Sequence, residues 1–182
     1  MRRRAYIVSV ARRRCAYDGA AVTSESTTTE LIEADESVAF GTCGCVVIMV
    51  WTGAATRERL ERAAEIVVTH AARGGAVGVI SVVEHGAPIP PPEVIELATD
   101  RILAGVPDLA GSAFVIEGGG EWAMAALDVA SAAHRRRDDV LVRKYCHDTR
   151  EASAWLTSRC GGSPTRAELI AAVELVRGAL PR

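Results

Sequence analysis

The chain has 182 residues and a formal net charge of -2; apolar residues make up 49% of it and charged residues 24%. This length fits one compact domain, and the balance of residue types excludes a wholly disordered chain. The small net charge gives no strong attraction to nucleic acid or anionic lipid, so nucleic-acid binding is not expected. Aromatic residues make up only 4%, and we therefore expect an aliphatic core, which suits buried parallel strands covered by helices.

Targeting and metal-binding signals are weak in this sequence. No apolar run reaches the roughly 18 to 20 residues that a membrane-spanning helix needs, so no membrane span is predicted. The apolar residues 5–10 are too few for a secretory signal, and arginines soon follow them. The five cysteines form no C-x-x-C pair, and Cys43 and Cys45 alone are too few for a zinc site. We expect reduced thiols, a cytoplasmic protein, and neither a metal nor another cofactor.

The first part of the chain is predicted to lie outside the main domain. Residues 1–36 are interpreted as an N-terminal extension, in part without fixed structure, and residues 37–182 as a single domain. Arginines at the start of the extension are followed by acidic residues, so the two stretches can neutralise each other. The Ser/Thr cluster at residues 23–29 is typical of a loop or linker.

The main domain begins with the pattern of a hairpin. A short apolar run at residues 38–40, turn residues at 41–44 and a β-branched run at 45–51 predict two antiparallel strands. Apolar residues at spacings of three and four then predict a helix capped by Thr56. The almost wholly apolar residues 76–83 predict a central strand that is covered on both faces.

Alternation of helices and strands continues through the second half of the chain. The predicted elements are a helix at residues 93–104, a strand at 112–117, a helix after residue 120, a strand at 140–145, a helix that Asp148 and Glu151 open as a capping box, and a helix from residue 163. Crossovers of this length favour parallel strands. The order predicts an α/β fold with a mixed, mostly parallel sheet, a starting hairpin and amphipathic helices.

This order of elements resembles the STAS domain, the fold of anti-sigma-factor antagonists and related bacterial regulators. The resemblance is carried by residues 46–53 as second strand and turn, 78–84 as third strand, 113–117 as fourth strand, and the helix start Glu151-Ala152-x-x-Trp155-Leu156. It covers residues 37–160 and leaves an extra C-terminal helix. It implies a non-catalytic regulatory domain that works through a protein partner or self-association.

One departure from the STAS pattern concerns the turn after the third strand. The family carries a phosphorylatable Asp-Ser pair there, and the added phosphate charge controls partner binding. This chain has Glu84-His85-Gly86-Ala87-Pro88-Ile89-Pro90 instead, with no hydroxyl group. Phosphorylation of this turn is therefore not expected. Residues 88–92, here called the proline loop, predict a stiff, extended segment that presents a fixed surface.

Small-molecule binding is the alternative function. Gly118 to Gly120 lie between a predicted strand and a predicted helix, where backbone N–H groups attract anions. No nucleotide-binding motif is present, however, and the negative charges of Glu117 and Glu121 beside the turn oppose anion binding. Open α/β sheets bind ligands at the carboxyl edge of their strands. The candidate ligand or partner contacts are Glu84, His85, Pro88, Pro90, Gly118, Gly119 and Gly120.

A cryptic Cys/His hydrolase is a further alternative. Cys146 and His147, next to Asp148, suggest a nucleophile, a base and an orienting carboxylate. Adjacent residues at a strand end point in opposite directions, so the thiol and the imidazole are not expected to meet. A pairing of His147 with Glu84 or His85 across neighbouring strand ends is also considered. We predict no catalytic residues and no enzyme.

Overall fold

A computed structural model of the chain describes residues 27–106, 109–134 and 142–181. The strands are β1 Thr29–Ala34, β2 Val38–Cys43, β3 Val46–Trp51, β4 Val77–Val83, β5 Leu109–Ile116 and β6 Arg143–Cys146. The helices are α1 Arg57–Ala71, α2 Pro92–Gly105, α3 Gly120–His134, α4 Thr149–Arg159 and α5 Arg166–Arg177.

The six strands form one sheet whose spatial order follows their order in the chain. β1, β2 and β3 pair antiparallel, and β3 to β6 pair parallel. The prediction of an α/β fold with a mixed, mostly parallel sheet and a hairpin is therefore confirmed. None of the described helices is long and apolar enough to cross a bilayer.

Alternate residues of the strands supply two separate cores, one on each face of the sheet. On one face Ile48 and Val82 pack with Leu156 of α4 and Val173 of α5. On the other face the neighbouring residues of the same strands, such as Val47, pack with α1. Because successive side chains of a strand point to opposite faces of the sheet, both faces are apolar and the sheet lies between two layers of helices.

Local capping chemistry fixes the starts of three helices. The side chain of Thr56 accepts a hydrogen bond from the Arg59 N–H, as predicted. Asp148 caps α4, but Glu151 reaches back to the N–H of His147 rather than to that of Asp148. α5 begins later than predicted, because Thr165 closes a full capping box with Glu168.

Three predicted boundaries differ from the structure. β1 belongs to the sheet although it precedes Ser37, so the domain begins earlier than predicted; residues 1–26 of the predicted extension lie outside the described residues. Gly41 lies inside β2 and not in the turn, since it pairs with Leu31 of β1 and Ile48 of β3, and its missing Cβ leaves room for Val176 of α5. The last strand begins at Arg143, and residue 140 also lies outside the described residues.

Candidate functional site

An apolar cavity lies between the sheet and helices α1, α2 and α3. It consists of an inner pocket of about 70 Å³ and an outer pocket of about 90 Å³. Both pockets have walls formed by Trp51, Leu60, Ser81, Ile95 and Phe114. Because the two share these walls, we describe them together as the apolar cavity.

The polar groups in this cavity are hydroxyls. Ser81 is buried in the middle of β4, and its Oγ accepts a hydrogen bond from the indole N–H of Trp51 at 3.1 Å. Thr99 of α2 and Ser112 of β5 are also buried and line the inner pocket. Among the described residues, the cavity wall includes no charged side chain. The site can therefore hold an apolar body with a small number of hydrogen-bonding groups.

The proline loop forms the outer wall of the cavity. Pro88, Ile89 and Pro90 line the outer pocket, and Pro88 is at the same time exposed to solvent. The preceding residue, Ala87, is buried, and its carbonyl accepts a hydrogen bond from the indole N–H of Trp122 at 3.1 Å. One side of the proline loop thus faces the cavity and the other faces solvent. The hydrogen bond from Trp122 of α3 holds the residue directly before the loop in place.

His85 and Gly118, two of the predicted contacts, come together beside the loop. The imidazole of His85 lies edge-on to Trp122, with ring centroids 5.1 Å apart. Gly118 has a φ of 96°, and a Cβ there would lie 2.5 Å from Nδ1 of His85. Both residues therefore position the turn and α3 through packing. Gly119 and Gly120 are exposed, and a Cβ at either would meet no atom within 4 Å.

Replacing Gly118 by alanine should lower the free energy of unfolding by about 1–3 kcal/mol, because a side chain is strained at this φ and collides with His85. Gly119→Ala is the matched control, since Gly119 has no positive φ and open space around it. Urea unfolding of both variants checks this. Equal stabilities for the two would show that the turn tolerates a side chain and does not depend on Gly118.

Glu84 lies outside the cavity and belongs to an ion-pair cluster at the strand ends. Arg177 of α5 contacts Glu84 at 3.1 Å, Glu117 at 2.6 Å and Glu174 at 3.0 Å. Glu84 and Glu117 follow the neighbouring strands β4 and β5, so one guanidinium neutralises carboxylates from two strands and its own helix. We call these four residues the Arg177 cluster.

The residues considered for hydrolysis do not assemble. Cys146 is buried in the core beneath α4, and burial raises the pKa of its thiol to about 11, so it is protonated at neutral pH. His147 is exposed, as expected for an adjacent residue that points away. The proposed pairing of His147 with Glu84 or His85 across neighbouring strands is wrong, because β5 lies between β4 and β6.

Within residues 27–106, 109–134 and 142–181, no three His, Cys, Asp or Glu side chains are grouped so that they could hold an ion. Comparison with known protein families, with curated proteins and with solved structures found no match.

The cavity was not predicted, although the sequence contains a signal for it. Ser81 is a hydroxyl residue in an otherwise apolar run, and Trp51 ends the preceding strand. Their hydrogen bond places both in the cavity wall. Of the predicted contacts, only Pro88 and Pro90 line the cavity. The remaining walls come from β3, β4, β5 and three helices, and the distance between the sheet and these helices depends on tertiary packing.

Proposed function

We propose that this chain is a non-catalytic regulatory domain that binds a small, neutral, mainly apolar molecule in the apolar cavity. The observation that carries the proposal is the wall itself, which is aliphatic and aromatic apart from the hydroxyls of Ser81, Thr99 and Ser112. An apolar body is stabilised by leaving water, and one polar group on it can pair with a hydroxyl. A charged ligand is disfavoured because nothing in the described wall compensates its lost hydration.

The cavity volume limits the size of this molecule. An apolar cavity of about 150 Å³ in another protein is large enough to bind benzene. The inner and outer pockets, of about 70 and about 90 Å³, share five lining residues, and in this proposal one ligand occupies both. We therefore propose a ligand with one ring or a short branched chain, and with one hydroxyl or carbonyl group.

The proline loop connects the cavity to a partner in this proposal. A ligand in the outer pocket contacts Pro88, Ile89 and Pro90, whose other side faces the surface. A protein partner or a second copy of the chain, which the STAS resemblance implies, then recognises the loop when the outer pocket is occupied. Among the described residues the large exposed apolar side chains are Met124 and Val142, and neither belongs to the loop. We therefore propose that a partner recognises the proline loop only when a ligand is bound, and that it does not dock there permanently.

The two described methionines provide a direct test. Met49 lines the inner pocket and is 4% exposed, whereas Met124 on α3 is 60% exposed. In NMR spectra of the full chain with ¹³C-labelled methionine methyl groups, phenol should shift the Met49 signal in a saturable way and leave the Met124 signal unchanged. Benzoate, a charged molecule of similar size, should shift neither. An unchanged Met49 signal at saturating phenol would contradict the proposal.

A pair of variants on α2 separates cavity binding from surface binding. Ala98 is buried and lines the inner pocket, so Ala98→Leu should fill the space and abolish the phenol-dependent shift of Met49. Ala104 is exposed on the same helix, and Ala104→Leu should leave the shift intact. Ala126→Leu on α3, in the wall of the outer pocket, is a second blocking variant if Ala98→Leu is unstable. Phenol binding retained in both blocking variants would place the site elsewhere.

A further inference from the structure

Two cysteines far apart in the sequence meet at the end of the sheet opposite the proline loop. Cys45 directly precedes β3, in the turn of the hairpin, and Cys160 ends α4. Gly78 of β4 lies beside both cysteines, because it pairs with Val46, which follows Cys45, and faces Sγ of Cys160. Both cysteines are free and half-buried, whereas Cys43 and Cys146 are buried.

The backbone around the two sulfur atoms is shaped to bring them together. Gly78 of β4 donates its N–H to the carbonyl of Cys45 at 3.0 Å, and a Cβ on Gly78 would lie 3.0 Å from Sγ of Cys160. A glycine at this position therefore leaves room for the second thiol. Sγ of Cys45 also donates to the carbonyl of Ser163 at 3.2 Å, in the turn that follows Cys160. Cys45 thus contacts both Cys160 and the segment after it.

The two thiols differ in acidity. The S–H of Cys160 hydrogen-bonds the sulfur of Cys45 and lowers the pKa of Cys45 to about 7, against the opposing effect of burial. The same contact, together with burial, raises the pKa of Cys160. Burial raises the pKa of Cys43 and of Cys146 to about 11. Because the thiolate is the nucleophile, Cys45 is the reactive member of the pair and Cys160 the protonated one.

We propose that Cys45 and Cys160 are a thiol modification site that low-molecular-weight disulfides oxidise to an intramolecular disulfide. The Cys45 thiolate attacks one sulfur of the reagent, so that a mixed disulfide forms and one thiolate leaves. That thiolate takes the proton of Cys160, and the Cys160 sulfur then attacks the Cys45 sulfur and displaces the second thiolate, which is protonated by water. Two protein thiols are oxidised, and the reagent is reduced to two thiols.

The bridge would join the hairpin turn to the end of α4. The closed loop runs from residue 45 to residue 160 and contains β3, β4, β5 and β6. A crosslink across so long a loop restricts the unfolded chain more than the folded one. We therefore expect the oxidised protein to have a higher Tm than the reduced protein. This inference is independent of the cavity, because the two cysteines do not line it.

Oxidised glutathione is the probe for this proposal. After treatment, the full chain is unfolded and its free thiols are alkylated. Peptide mapping of the wild-type protein should then recover a Cys45–Cys160 crosslink, whose mass is two hydrogens below that of the two free thiol peptides together. A crosslink between Cys43 and Cys45, or a Cys45 that stays unmodified, would overturn the proposal. Mapping uses the wild-type chain, so it does not depend on the folding of any variant.

Three single substitutions test the assigned roles. Cys160→Ser should stop at the mixed disulfide and retain one glutathione on Cys45. Cys45→Ser cannot form the bridge, and its Cys160, which burial still keeps protonated, should take up less glutathione than Cys45 does in Cys160→Ser. Cys43→Ala, which removes a buried thiol from the same hairpin, should form the bridge as wild type does. Equal glutathione incorporation in Cys45→Ser and Cys160→Ser would contradict the assigned roles.

Discussion

Replacing Trp51 by alanine is expected to lower the free energy of unfolding by about 3–5 kcal/mol, the range for removing a large buried aromatic side chain. Trp51 is 3% exposed at the end of β3. Its ring meets Phe40 edge to face at a centroid distance of 5.7 Å, and its N–H bonds Ser81. The substitution removes the contacts of the ring and enlarges the apolar cavity. Urea unfolding monitored by circular dichroism measures the change.

Trp51→Phe is the matched control for this prediction. Phenylalanine keeps one aromatic ring but loses the pyrrole part of the indole with its N–H, so a loss of about 1 kcal/mol is expected from the hydrogen bond, with a smaller loss of apolar contact than alanine causes. Ser81 then has its hydroxyl available to a ligand. If Trp51→Ala and Trp51→Phe lowered the stability equally, the ring would not anchor the sheet to the helix layer, and the description of this core would be wrong.

Replacing Arg177 by alanine is expected to lower the free energy of unfolding by about 1–3 kcal/mol, between the values for exposed and buried ion pairs. Arg177 is 27% exposed and contacts the three carboxylates of the Arg177 cluster. Without the guanidinium, Glu84 and Glu117 repel each other at the ends of neighbouring strands. Thermal and urea unfolding at low and high salt measure the effect, which should be smaller at high salt because ions screen the repulsion.

Two variants distinguish charge from packing in this cluster. Arg177→Lys keeps the charge but loses the planar fork that contacts several carboxylates, so it should recover only part of the stability. Arg166→Ala removes an exposed arginine from the first turn of the same helix and should change the stability by less than about 0.5 kcal/mol. A salt-independent loss in Arg177→Ala would assign the effect to the packing of its methylene groups instead.

The elements that were predictable are those encoded by local patterns. The apolar run of β4 and the caps Thr56 and Asp148 depend on neighbours in the sequence, and the structure has them where predicted. β1 was missed because Glu30 and Glu33 interrupt its apolar pattern. It is an edge strand, and charged side chains are usual there because they oppose pairing with other chains.

The candidate sites depend on contacts between distant segments, which a single sequence does not reveal. Cys45 and Cys160 belong to elements at opposite ends of the domain, and only the fold shows that their thiols meet. At the carboxyl edge of the strands, where a ligand was expected, Glu84 pairs with Arg177, and the outer pocket is lined there by Trp51, Val83 and Ile116, the last residues of β3, β4 and β5. The cavity lies on the face of the sheet opposite α5, and its inner pocket extends along the strands, where the distance between sheet and helices determines the free space.

The order of strands in the sheet has a consequence for synthesis of the chain. Because spatial order equals chain order, each strand that leaves the ribosome finds its neighbour already made. The face that carries Ile48 and Val82, however, is covered by α4 and α5, which are translated after every strand. Until α4 and α5 emerge, the nascent sheet exposes one apolar face to solvent. We expect this interval to be the one in which a chaperone protects the growing polypeptide from aggregation.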